Sequence, residues 1–202
     1  MFPAVAVGPA APRRAIFSRW LAATSLGFLL GYLAARATRN LGLTPLTPLS
    51  AAPRWLFSGL VAAALQSRLL GPVLPRARTW VVVTGAAFAL AGPIAAIPSA
   101  EPMSYGITWA VGGALIGTIQ WLALRRMAGR PRWWPLTTLI GFGAGGLTYG
   151  SGFYLVPEDF SRSLASIILW VLTGFVTAVV TGGALAGTRR VSADPSHPQG
   201  HA

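Results

Sequence analysis

A chain of 202 residues that is 53% hydrophobic and only 10% charged is not an ordinary soluble domain, in which about a quarter of residues carry charge. It is not a disordered chain either, since disorder needs low hydrophobicity and dense charge, and its 24 glycines and 16 prolines follow no collagen period. The net charge of +12 comes from 16 arginines, no lysine and four acids; on a soluble protein it would suggest nucleic acid, but here the arginines sit in short clusters between apolar runs, as membrane orientation is written.

These features predict a small polytopic membrane protein that binds no nucleic acid. Six segments approach the roughly 20 apolar residues that a spanning helix needs. In chain order they are Trp20–Ala35, Trp55–Leu70, Trp80–Ile97, Tyr105–Leu124, Trp134–Leu155 and Leu164–Gly187. The second is the weakest, because Arg54 and Arg68 bracket it; arginine stems can snorkel at both ends. Four segments open on tryptophan and one on tyrosine. Trp20, Trp55, Trp80, Trp121, Trp133 and Trp134 are therefore expected as interfacial anchors at headgroup depth. The first segment has some features of a cleaved signal, with arginines before an apolar run and Ala35-Arg36-Ala37 as a loose cleavage site. Its likeness to the third and fifth segments favours retention. The expected organisation is an N-terminal cytoplasmic arm over 1–16, a transmembrane domain over 17–190 and a disordered cytoplasmic tail over 191–202.

Orientation follows from the arginines. With the N-terminus inside, Arg13, Arg14, Arg19, Arg68, Arg76, Arg78, Arg125, Arg126, Arg130, Arg132, Arg189 and Arg190 are cytoplasmic. Arg36, Arg39, Arg54 and Arg162 fall outside, together with Glu101, Glu158 and Asp159. The rule counts such short loops, so both termini are expected in the cytoplasm of a bacterium, bounded by its inner membrane. The Arg36–Arg54 loop is the dissenting feature.

The segments also repeat. Gln66 stands 14 residues before Trp80 and Gln120 stands 14 before Trp134, a period of 54. The even segments align as Gly59-x3-Ala63-x2-Gln66, Gly113-x3-Gly117-x2-Gln120 and Gly174-x3-Ala178-x2-Thr181. The odd segments align as Trp20-x6-Gly27-Phe28-x2-Gly31, Trp80-x6-Ala87-Phe88-x2-Ala91 and Trp134-x6-Gly141-Phe142-x2-Gly145. Every copy crosses in the same sense, so the repeats are parallel and not inverted. The string Gly113-Ala-Leu-Ile-Gly117-Thr-Ile-Gln120-Trp121-Leu-Ala-Leu-Arg125-Arg126, followed by Trp134, resembles a family of bacterial multi-pass proteins with repeated G-x3-G-x2-QW-x2-LRR hairpins. The resemblance spans roughly residues 17–190, and it implies an architecture without an activity. The second segment departs from it, with Ser67 in place of the tryptophan and Arg68 arriving early.

Chemistry-bearing residues are few. No cysteine is present, and His197 and His201 lie in the tail, so no imidazole or thiolate ligand falls within the apolar segments. No metal site is expected, and a bound apolar cofactor stays undetermined. Small residues four apart let helices approach closely; Gly27, Gly31, Gly113, Gly117, Gly141, Gly145, Gly146 and Gly150 are read as packing positions, either within the bundle or toward a partner. The run from Gly141 to Gly146 has no strand before it and is not read as a phosphate loop. Gln66, Gln120 and Thr181 carry polar groups that hydrocarbon cannot satisfy and should bond neighbouring helices, or else line a solute path. Arg68 either serves a function within the membrane or snorkels to the cytoplasmic side. Glu101, Glu158 and Asp159 lack a nucleophile or histidine beside them, so no catalytic constellation is visible.

The expected fold is all-α: six transmembrane helices in three parallel hairpin-like repeats about an axis along the membrane normal. The expected function is that of a non-enzymatic structural or accessory subunit. It would pack against partner helices, further copies of itself, lipids or apolar cofactors in a larger membrane assembly. The alternative is a small-solute transporter or channel with a path lined by repeat-related polar residues.

Overall fold

A computed structural model describes residues 13–40, 51–69, 77–97, 101–125, 132–157 and 159–187. These residues form six helices and no strand: α1 (Arg13–Asn40), α2 (Ala51–Leu69), α3 (Ala77–Ala95), α4 (Pro102–Leu124), α5 (Trp134–Leu155) and α6 (Arg162–Gly187). The expected tail over 191–202 lies outside them. Helix α1 begins at Arg13, and Ile16 is already buried. Two helix starts carry their own signals. Glu101 holds extended backbone before Pro102, and Pro135 follows Trp134 at the start of α5; proline suits the first turn, where an N–H has no partner to lose.

Each helix packs against its neighbours in chain order, and α6 returns to pack against α1. The six close into a ring, and no pair across it meets at backbone distance among the described residues. Four helices contain stretches long and apolar enough to cross a membrane: Arg14–Ala37, Ala77–Ala95, Pro102–Ala123 and Arg162–Leu185. Helix α2 carries Arg54 and Arg68, and α5 is diluted by six glycines. Large apolar side chains face outward on every helix, among them Leu30, Phe57, Val82, Val111, Ile140 and Phe175. A surface of that kind is a liability in water and ordinary against lipid. The chain has the build of a membrane protein.

The glycines set the helix spacing. A side-chain carbon added at Gly113 would stand 2.6 Å from Phe142 Cβ and 2.7 Å from the Thr138 carbonyl oxygen, and one at Gly117 would stand 2.8 Å from Pro135 Cα. Helix α4 thus meets α5 almost backbone to backbone, where any side chain would force the pair apart. Gly27 and Gly31 lie against Ala62 and Ser58 of α2. Helix α5 uses two faces: Gly141 and Gly145 meet Thr177 and Thr173 of α6, whereas Gly146 and Gly150 meet Trp109 and Tyr105 of α4. All eight packing glycines of the sequence lie at contacts within the chain.

Candidate functional site

Among the described residues, aromatic side chains fill the middle of the ring. Side chains from the odd helices meet in the middle, where Trp20, Trp80 and Trp134 form a triangle with ring centroids 5.6–6.4 Å apart. Two turns further along these helices, Phe28, Phe88 and Phe142 form a second triangle at 5.7–6.4 Å. A third layer comes from the even helices: Trp55, Trp109 and Trp170 meet at 5.3–6.4 Å. Edge and tilted contacts of this kind add favourable quadrupole interactions to the burial of large rings. The Phe28 and Phe88 rings touch Trp170 and Trp55 respectively, so the second and third layers form one stack.

Polar groups at the first layer are tied together. The indole N–H of Trp80 donates to Gln66 Oε1 at 3.0 Å, and that of Trp134 donates to Gln120 Oε1 at 2.9 Å. An indole is a donor only, so each amide must present its oxygen to the ring and its NH2 elsewhere. Gln66 Nε2 donates to Thr24 Oγ1 at 3.0 Å, and Gln120 Nε2 donates to Thr84 Oγ1 at 3.1 Å. Each glutamine therefore joins three consecutive helices. The remaining corner differs. Trp20 donates to Thr181 Oγ1 at 2.9 Å, Thr181 donates to the Thr177 carbonyl in its own helix, and Thr138 turns back to the Trp134 carbonyl at 2.7 Å. Thr177 and Thr173 close the α5–α6 contact by donating to the Gly141 and Gly145 carbonyls. All these side chains are buried, and a fully paired buried polar network rigidifies the core that holds it.

The tryptophan placement corrects the sequence expectation. Trp20, Trp80 and Trp134 are at most 3% exposed and spend their N–H groups inside the ring, so they are axial core and not rings facing headgroups. The pull of a satisfied indole donor plus a three-ring contact outweighs the interfacial preference. Trp55 and Trp121 are half-buried, and Trp133 is exposed as an anchor would be. Arg68 is exposed in the last turn of α2, where its charge faces the negative end of the helix dipole.

The opposite end of the ring opens into a cavity of about 530 Å³. It lies where α1 and α3 end and where α2, α4 and α6 begin. Arg36, Arg54 and Arg162 line it, over a floor that includes Trp55, Trp109 and Trp170 with Tyr32, Tyr105 and Tyr149. Arg36 donates to the Tyr32 hydroxyl at 3.2 Å and to Ser163 Oγ at 2.6 Å, joining α1 to α6. Tyr32 stacks on Trp170 and Tyr149 stacks on Trp109. Trp109 is 3% exposed, and its indole N–H has no hydrogen-bond partner among the described residues. Glu101 and Asp159 are exposed near this end without lining the cavity.

The sequence reading placed Arg36, Arg54 and Arg162 apart, as exceptions to the charge rule; the fold brings them to one cavity. It did not single out Trp109 or Trp170. The signal was available one step upstream in the even segments, where Trp55-x3-Gly59, Trp109-x3-Gly113 and Trp170-x3-Gly174 share a spacing. Among the described residues, no three His, Cys, Asp or Glu side chains come together as a metal site. No family model matches this chain, and neither the curated proteins nor the solved structures yielded a match.

Proposed function

We propose that the protein is a non-enzymatic integral subunit of the bacterial cytoplasmic membrane, packing against partner helices, lipids or apolar cofactors in a larger assembly. All six helices cross the bilayer in this reading, as three parallel hairpin-like repeats with both termini cytoplasmic. Closure of the ring supports six crossings. Helix α2 sits between α1 and α3, and α5 between α4 and α6, so removing either from the bilayer would bare the glycine contacts of its neighbours. The 19 residues of α2 make a helix of about 28 Å, close to the hydrocarbon thickness. The hairpin resemblance and the equivalent bonds of Gln66 and Gln120 support the repeat.

The observation that carries the functional reading is the filled axis. A transporter needs a path, and the place for one holds three aromatic layers. Gln66, Gln120 and Thr181, the residues a path would have used, are occupied in bonds between helices. The outward faces are left to make contacts. Purification of the tagged full chain in mild detergent, with mass spectrometry of what accompanies it, tests the proposal. A membrane protein, lipid or pigment held in fixed stoichiometry is the expected result. A chain that purifies alone and confers solute flux on liposomes overturns it.

A further inference from the structure

We infer that the arginine-rimmed cavity is a binding site for an organic anion: a phosphate or carboxylate head joined to a flat, apolar body. This goes beyond the packing role and does not depend on it. Three observations converge. First, Arg36, Arg54 and Arg162 come from three different helices to one cavity, although like charges repel. The bonds of Arg36 to Tyr32 and Ser163 go to neutral hydroxyls, which orient its guanidinium and leave its charge in place. A guanidinium so held is suited to a carboxylate or phosphate, which it can engage through two parallel N–H groups.

Second, the helices beginning here add charge of the same sign. No acidic residue occupies the first turn of α2, α4 or α6, and Glu101 makes no side-chain cap on α4. Positive dipole ends therefore point toward this face from three sides, and they favour anions. Glu101 and Asp159 are exposed near this end and do not line the cavity.

Third, the floor selects for more than charge. Trp55 and Trp170 are half-buried rings at the cavity wall, giving it an apolar surface against which a planar or hydrocarbon body can rest. Trp109 also stands at the wall, its ring stacked on Tyr149 and tied to the rings of Trp55 and Trp170, so the floor is one continuous aromatic surface. The volume of about 530 Å³ is that of small-molecule sites. The head group could belong to a free metabolite or to an anionic phospholipid, since both present the same chemistry to these arginines.

Isothermal titration of the full chain in neutral phosphatidylcholine nanodiscs tests the site, with 2-naphthyl phosphate as probe and inorganic phosphate and 2-naphthol as comparators. The expected result is saturable binding of naphthyl phosphate at least about tenfold tighter than either comparator. Arg36→Gln with Arg162→Gln should weaken it by about tenfold or more, whereas Arg78→Gln at the other end should not. Arg162 is exposed and makes no part of the Arg36–Ser163 bridge, so Arg162→Gln alone keeps the test open should the double variant fail to fold; it should weaken binding about threefold. Adding phosphatidylglycerol to the nanodiscs separates the two sources. Loss of naphthyl phosphate binding, with phosphatidylglycerol retained on the wild type in native mass spectra, assigns the site to a lipid. Unchanged affinity assigns it to a free anion. Absence of saturable binding by both probe and lipid, equal binding by wild type and the arginine variants, or equal binding of naphthyl and inorganic phosphate overturns the inference.

Discussion

Gln66 accepts the indole N–H of Trp80 at 3.0 Å and passes its own NH2 to Thr24 at 3.0 Å, so one amide spans α1, α2 and α3. Replacing Gln66 by leucine strands a buried N–H at Trp80, and Gln120→Leu does the same at Trp134. Each should cost roughly 0.6–2 kcal/mol, the range for bonds between helices in a membrane. The glutamines use separate partners, so the double variant should be close to additive. Unfolding of the purified variants in mild detergent measures this. Variants that keep full stability while losing a solute flux would refute the packing role and promote the transporter.

The close approach of α4 and α5 gives a second expectation. Gly117→Leu must push a branched side chain into Pro135 and Thr138, which are backbone and near-backbone neighbours that cannot yield. Separating the helices forfeits many small dispersion contacts at once. Leu122, 43% exposed on the same helix, touches little, so Leu122→Ala should leave yield and thermal stability close to wild type. Equal losses for the two variants would show that α4 does not pack through its glycines.

Much of this arrangement was legible in the sequence, and the exceptions share a cause. Apolar run length places all six helices, with α5 bounded by the same residues in both readings. The 14-residue offset of Gln66 from Trp80 marked a relation that becomes a hydrogen bond. What spacing cannot carry is which way a ring faces. A tryptophan at the start of an apolar run is equally suited to headgroups and to a helix axis, and only the meeting of Trp20, Trp80 and Trp134 decides it. The cavity was illegible for another reason: Arg36, Arg54 and Arg162 are far apart in the chain, and ring closure by α6 on α1 is what joins them.

The arginine bias gives a topological expectation. The chain has no cysteine, so single replacements can be labelled without background. Met103, 61% exposed at the start of α4, should react as Met103→Cys with an impermeant maleimide on intact cells. Thr79→Cys, exposed near the start of α3, should react only after permeabilisation. The reverse pattern would invert the protein and move the arginine cavity to the cytoplasmic side.

The uneven corner of the first aromatic layer gives the sharpest expectation. Trp80→Phe removes the donor to Gln66 and leaves a buried carbonyl oxygen without its partner, at a cost of about 1–3 kcal/mol beyond lost packing. Trp20→Phe removes the donor to Thr181, yet that hydroxyl keeps its bond to the Thr177 carbonyl at 2.8 Å. The two rings occupy the same layer and are equally buried, so packing losses should largely cancel in the comparison. Trp80→Phe should therefore be the more destabilising, by about 1 kcal/mol. Adding Gln66→Leu to Trp80→Phe should restore stability, because replacing both partners of a buried bond by apolar groups can be nearly neutral. That rescue requires Thr24 to find another partner, and Thr138 shows the route: in the corner without a glutamine it donates to the carbonyl four residues back. Denaturation of the three variants in detergent measures the order. If Trp20→Phe is the worse, or if Gln66→Leu fails to rescue Trp80→Phe, the amide is held by something other than the indole.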